Sequence, residues 1–437
     1  MPTRAMSDHA TLHGVSIVVA GAGLAGLAAA LDLHERGAEV TVVEARDRVG
    51  GRVWTVREGF TGGQHAEAGG DLIDEGQDAI LALAQQLGLE PVRILETGFA
   101  AVRHDASAAA PRIIGRAGES WSKLQEKLKP LIHTYCLAEG RDESPIVQSM
   151  ARMSVAEWLD RAGAEDDVHA AARSLRGFFL ADPEDLSLMA LVDELASEVP
   201  GRGKMFRIKG GNDQLATRAA ALLGDRVCLR TVLRVVTQSD RGVQATVETP
   251  SGREETRSAD YMVVAVPATV VQTLRFVPDI PALQRDAVNR LKYGRATKSL
   301  LQFKRRFWRG RGRSRAYGTD LPIGAIWEAN EEQQGRQGIL ALLAGGRASG
   351  ETRRILADGG TEALAVRLNW LDGAGAELIA AHVVSWEDDP WARGGYAYFD
   401  PDYDPALRSW LPRPHGRVVF AGEHTSLKWQ GYMNGAV

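Results

Sequence analysis

Apolar and polar positions follow two different rhythms along this chain. Residues 15–20 have the pattern of a buried strand, apolar except for Ser16, and 22–36 carry alanine and leucine at helical spacing. Residues 39–44 form a second, β-branched strand. A strand–helix–strand unit of about 30 residues requires a parallel pair with a right-handed crossover. Residues 77–87 place Ile80, Leu81, Leu83, Ala84 and Leu87 at helical spacing, and 120–195 are mostly helical. Within that stretch Ser154 and Glu157 form a capping-box pair ahead of Trp158 and Leu159. After Met205 the period shortens, and 206–208, 227–229, 232–236, 243–248 and 261–266 read as strands. Residues 290–369 mix both kinds of element, and 383–386 and 418–421 are short apolar strands. No internal repeat and no Pro/Ser-rich linker divides the chain, so its domains are expected to interleave.

Composition narrows the reading by exclusion. The 437 residues carry 52 basic and 56 acidic side chains, a net charge of −4, which gives nucleic acid or an anionic membrane no bulk attraction. The longest apolar run, 17–31, contains Gly21, Gly23 and Gly26 and falls short of the roughly 20 residues that span a bilayer. Residues 1–14 lack the form of a secretory signal, and two cysteines make no disulfide framework, so a soluble, cytoplasmic protein is expected. Glycine is the one excess: 47, where average usage gives about 31.

Where those glycines fall is informative. Gly21-Ala22-Gly23-Leu24-Ala25-Gly26 joins the first strand to the first helix. Such glycines permit a tight turn, close backbone approach to a pyrophosphate, and tight helix–strand packing, while the helix N-terminus favours anions. Glu44, at the end of the second strand, has the spacing of a carboxylate that accepts ribose hydroxyls. It would repel a 2′-phosphate, which leaves NAD or FAD.

Arg46, Arg48 and Val49-Gly50-Gly51-Arg52 resemble the second fingerprint of the flavin-containing amine oxidases, the family of monoamine oxidase, polyamine oxidase and L-amino-acid oxidase. Glu67-Ala68-Gly69-Gly70, residues 206–211, Val232, Ala265-Val266-Pro267 and, most specifically, Phe420-Ala421-Gly422-Glu423-His424-Thr425-Ser426 followed by Trp429-Gln430-Gly431-Tyr432-Met433-Asn434-Gly435-Ala436 extend the resemblance over nearly the whole chain. It implies an α/β fold: a doubly wound, Rossmann-like FAD-binding domain (1–80, 205–280, 385–437) interleaved with an α+β substrate domain of mixed sheet and helices (81–204, 281–384). The implied FAD contacts are Gly21, Gly23, Leu24, Ala25, Gly26, Glu44, Ala45, Arg46, Gly50, Gly51, Arg52, Gly69, Gly70, Asp71, Val232, Gly422, Glu423, Tyr432 and Met433. The arginines would face phosphate, Val232 would hold adenine through its backbone, and Glu423 the ribityl–phosphate end. Some relatives attach flavin through a cysteine after a glycine pair; Gly394-Gly395-Tyr396 has none, so FAD is expected to bind noncovalently. Residue 437 falls within a turn of where the family's last helix continues, which leaves a short helix or a missing end as alternatives.

For the chemistry, Lys298 stands in an otherwise apolar strand, where a lysine is costly unless paired or hydrated. The resemblance implies that it holds a water against the flavin. Tyr432 is the implied cage residue, with Trp391, Tyr396 or Trp429 as the second wall; such faces favour amine or ammonium groups. The implied reaction takes an amine to an imine, which hydrolyses, with dioxygen reduced to hydrogen peroxide. The alternatives are an L-amino-acid oxidase, a flavin-dependent desaturase, or a non-catalytic flavin-binding scaffold. Asp71, Asp74 and Glu75 would repel a carboxylate and could attract a second ammonium, which favours simple amines or diamines over amino acids. The partners expected are a small amine and dioxygen, without nucleic acid or membrane, and a homodimer is left open. Two further signals are set aside. Seven basic residues among the twelve from Lys304 to Arg315 read as a solvated strand end, and His9 with His13 lacks a third ligand, so no metal is expected.

Overall fold

The computed structural model describes residues 11–96, 98–103, 112–113, 119–138, 144–197, 203–310, 313–372 and 375–437. His9 and Arg311, members of the two signals set aside, lie outside them. β1 (Ser16–Ala20) is the centre of a five-stranded parallel sheet, between β2 (Glu39–Val43) and Tyr261–Val264, with Val227–Cys228 and Val418–Phe420 at the edges. The crossover from β1 to β2 is α1 (Leu24–Glu35). Alternate sheet residues serve opposite faces. Ile17, Val19, Val40 and Val42 pack with Leu24, Leu27 and Leu31 of α1 and with helix Gln214–Leu223. Val18, Ala20, Val43 and Met262 pack with Leu233, Val236 and Val243 of a four-stranded sheet. Burial on both faces is why these strands read as mostly apolar, with Ser16, Glu39 and Thr41 the polar members of β1 and β2.

A second, mixed sheet has seven strands. Ala296–Phe303, buried at all eight positions, lies between Gly338–Gly345 and Leu378–Ser385, antiparallel to both. Beyond Gly338–Gly345 follow Ala325–Glu328, Ala316–Thr319, Phe99–Arg103 and Arg112–Ile113. The region expected to be helical forms Glu119–Leu137, Pro145–Ala151, Val155–Arg161, Asp166–Ser174, Arg176–Phe179 and Leu188–Ser197. Ser154 caps the third of these, its hydroxyl accepting Glu157 N–H at 3.0 Å.

The basic run is matched by carboxylates. Arg306 and Arg309 meet on the fully buried Glu328, Arg315 pairs with Glu331, Lys304 with Glu377 and Arg313 with Asp372. Among the described residues no helix is long and apolar enough to cross a membrane, and no three metal-ligating side chains gather.

Candidate functional site

The first glycine turn opens onto a cavity of about 1530 Å³ that reaches from the end of β1 to the seven-stranded sheet. Gly21, at φ +103°, turns the chain away from β1, and a Cβ there would stand 2.7 Å from Ala265 O. Gly23 precedes α1 with no side chain capping its first turn, and a Cβ on it would meet nothing within 4 Å. Gly23, Leu24 and Ala25 line the cavity. Gly26 does not: a Cβ there would lie 1.9 Å from Gly21 O, so its part is packing rather than contact. The second glycine pair lies against the first turn, with Gly50 N–H donating to Ala22 O at 2.8 Å. Glu44 lines the cavity beside Ala45, and its carboxylate oxygens already accept Ala22 N–H at 2.7 Å and Arg46 N–H at 2.8 Å. An uncapped helix N-terminus in a glycine cradle, with a carboxylate across the turn, fits a dinucleotide whose pyrophosphate completes the helix end.

The arginines divide three ways. Arg52 donates to Glu423 Oε1 at 2.9 Å and Gly395 O at 2.8 Å, and its guanidinium lies 5.4 Å from the Tyr293 ring centroid. Glu423 Oε2 accepts Gly431 N–H at 2.9 Å. Burial alone would raise the Glu423 carboxyl, but Arg52 holds it below the usual carboxylate range. Glu423 therefore spends both oxygens within the protein, and what it offers the cavity is a fixed ion pair rather than a free carboxylate. Arg46 lines the cavity with its guanidinium clamped by Asp389 through two 2.6 Å bonds. Arg48 does not line it; the side chain stacks over Trp54 at 4.7 Å, and burial and Arg46 lower it to about 10. The expectation of phosphate-facing arginines is corrected for Arg48, which an aromatic face has taken. Leu233, the neighbour of Val232, lines the cavity, and the backbone contact expected of Val232 does not depend on which way its side chain faces.

At the far end, Gly69 and Gly70 carry the cavity wall to Lys298. A Cβ on Gly69 would lie 1.9 Å from the backbone Arg52 O, so that position admits only glycine, while one on Gly70 would lie 2.7 Å from Sδ of the flexible Met433 side chain. Lys298 Nζ donates to Gly69 O and to Asp71 Oδ2, each at 3.0 Å, with the Trp327 ring 4.9 Å away. Tyr432 and Tyr396 both line the cavity, and helices on its far side hold both hydroxyls: Tyr432 donates to Glu194 and Tyr396 to Phe178 O. Trp429 meets Tyr432 edge-on, with centroids 5.6 Å apart at 79°. Trp391 also lines the cavity, and its backbone N–H donates to Asp389, the carboxylate that clamps Arg46.

The acidic stretch does not present free carboxylates as expected. Asp71 is buried between Arg207, Lys298 and Trp327, and Glu75 pairs with Lys204. Asp74 lines the cavity and accepts Gln77 Nε2, and burial raises its carboxyl. Sequence reasoning missed Arg207, Glu194, Trp327 and Trp386, whose indole donates to Ala68 O at 3.0 Å. Arg207 carried the same signal as Lys298, a single cation within an expected apolar strand.

The profile of flavin containing amine oxidoreductases matches residues 24–437. The chain belongs to this family. It is an oxidoreductase, a flavin-dependent amine oxidase with the α/β fold of that family. Amine oxidase (flavin-containing) B of Canis lupus familiaris is 27% identical over 449 residues, 96% of this chain and 84% of its own length. Cyclohexylamine oxidase from Brevibacterium oxydans IH-35A superposes with a TM-score of 0.84 at 24% identity, over 97% of this chain and 96% of that one. Putrescine oxidase in complex with putrescine gives 0.83 at 22% identity, with the same coverage. At these identities the two solved structures speak for the fold. The flavin of the family fits the glycine cradle and helix end described above.

Proposed function

We propose that this amine oxidase binds FAD noncovalently along the cavity and oxidises a small amine with an apolar substituent. The reading rests on one observation: a single cavity joins the uncapped N-terminus of α1 to Lys298 and Tyr432. Neither Cys136 nor Cys228 lines it, which supports noncovalent binding. Gly21, Gly23, Leu24 and Ala25 would take the pyrophosphate, Glu44 the ribose, and Gly69, Gly70 and Met433 the ring system.

Bound flavin supplies a two-electron acceptor that dioxygen can restore, so that an amine and dioxygen yield an imine and hydrogen peroxide. The protein's own contribution is selection and placement. Phe178, Phe179, Leu180, Leu191, Trp327 and Leu343 give the substrate end an apolar wall that disfavours an ammonium and so selects the neutral amine. Tyr432 and Tyr396, tied through their hydroxyls, offer fixed ring faces to it. Among the described residues, the arginines lining the cavity are Arg46 and Arg52, both committed at the nucleotide end. That distribution favours amines over amino acids, whose carboxylate would lack a bidentate partner. Lys298, with one donor left for the cavity, would hold a water or a developing negative charge.

The test is optical. Purified protein should show the visible bands of bound flavin, lose them when alkyl or aryl amines are added without oxygen, and release peroxide once oxygen returns. A colourless protein that cannot be reconstituted refutes the reading, and bleaching by amino acids alone refutes the substrate class.

A further inference from the structure

Asp71 lines the cavity, where it was expected to touch cofactor or attract a second ammonium, and its surroundings give it a further part. Oδ1 accepts Arg207 Nε at 2.8 Å and stands 2.7 Å from Nη2 as an ion pair without a hydrogen bond, and Oδ2 accepts Lys298 Nζ at 3.0 Å and Trp327 Nε1 at 2.8 Å. Arg207 reaches on to Glu332 at 2.7 Å. All of this is out of water, with side-chain exposures of 4% for Asp71, 3% for Lys298 and 0% for Arg207.

A lysine ammonium has three donors. Asp71 and Gly69 O take two, and the third remains for the cavity that Lys298 lines. On the adjoining strands Leu343 and Val384 stand opposite Lys298, so neither brings a charge in register. The charged groups that do face it are Asp71, Arg207, and Glu67 beneath the glycine turn, with Glu332 behind Arg207.

We infer that Asp71 is a positioning residue, which keeps Lys298 an ammonium within an apolar wall and aims its remaining N–H at the reacting groups. This deepens the proposed function and rests on its reading of Lys298. Arg207 makes the arrangement stable. Its hydrogen bond and close ion pair keep Asp71 ionised and hold Oδ1 away, so that Oδ2 faces the lysine. Burial pushes Lys298 below the ordinary lysine value and Asp71 opposes that push, so losing the Asp71 charge should drive the ammonium to deprotonate at a still lower pH. A role confined to holding the fold would alter stability and leave that titration in place.

The experiment uses the flavin-loaded enzyme and a readout without turnover: the pH titration of the bound flavin's visible spectrum, followed by the pH profile of kcat/KM. The wild type should show a spectral step below the ordinary lysine range that is absent in Lys298→Met. Asp71→Asn should move the step down by about one pH unit or more. Asp71→Glu, which keeps the charge at a changed distance, should fall between the two, and the high-pH limb of kcat/KM should move with the step. A step at the same pH in wild type and Asp71→Asn overturns the inference, as does a step that survives Lys298→Met. Should Asp71→Asn not fold with flavin, Asp71→Glu carries the test, and an unmoved step there is refuting. A protein that takes up no flavin defeats the functional reading, whereas a coloured protein whose step ignores Asp71 defeats only this inference.

Discussion

Replacing Arg52 with methionine removes the cation from the Arg52–Glu423 pair while keeping most of its apolar bulk. Glu423 has a side chain 7% exposed, and its remaining partners would be Gly431 N–H at 2.9 Å and the Tyr293 hydroxyl. Breaking a buried pair costs about 3–5 kcal/mol because the surviving charge is stranded. Arg52 keeps 22% of its side-chain surface open, on the cavity it lines, so the lower figure of about 3 kcal/mol is expected, roughly two powers of ten in the opening equilibrium. The sign of the pH dependence follows from Glu423. In the wild type its folded value is depressed, so it contributes stability above the unfolded carboxylate value and loses it as pH falls through the folded one. Without Arg52, burial dominates and the folded value rises above the unfolded one, so stability is lost as pH climbs. The gap between wild type and variant should therefore be wider at about pH 8 than at about pH 5. Native-state proteolysis or thermal release of flavin at both pH values measures it. The double variant Arg52→Met/Glu423→Gln, in which a neutral amide still accepts Gly431 N–H, should recover most of the loss. A gap that does not change with pH, or a double variant no better than the single, refutes this account.

Lys298→Met should slow amine-dependent bleaching by about tenfold or more, equivalent to about 1.4 kcal/mol of transition-state stabilisation, with flavin still bound; unchanged stopped-flow rates would remove its catalytic role. Tyr432→Phe keeps the ring and loses the tie to Glu194, so kcat/KM should fall by no more than about threefold, whereas Tyr432→Ala should cost about tenfold or more. Equal losses in the two would mean that the hydroxyl matters rather than the face. Gly26→Val should abolish flavin retention, because its Cβ would overlap Gly21 O, which stands 1.9 Å from that position. Gly350→Ala, in helix Arg347–Val366 where a Cβ would meet nothing within 4 Å, should leave flavin content unchanged.

Elements with strong internal periodicity were legible from sequence. β1, α1 and β2 lie within two residues of their expected limits, and Ser154 caps the helix it was read to cap. Glu254–Ala259 escaped, because EETRSA has neither an apolar run nor alternation. It is a strand through its ladder with Gly242–Glu248 at a sheet edge, where one side faces water.

Contiguous residues determined the glycine turn, the helix that follows it and the carboxylate ending β2, since tight turns and helical faces are properties of a few neighbouring positions. Tertiary structure decided what the isolated charges do. Lys298 meets Asp71 across 227 positions and Arg207 meets it across 136, so which carboxylate neutralises which cation depends on how distant segments cross. In a medium where an unpaired charge is prohibitively unfavourable, that crossing made Asp71 an internal counter-ion rather than a substrate anchor.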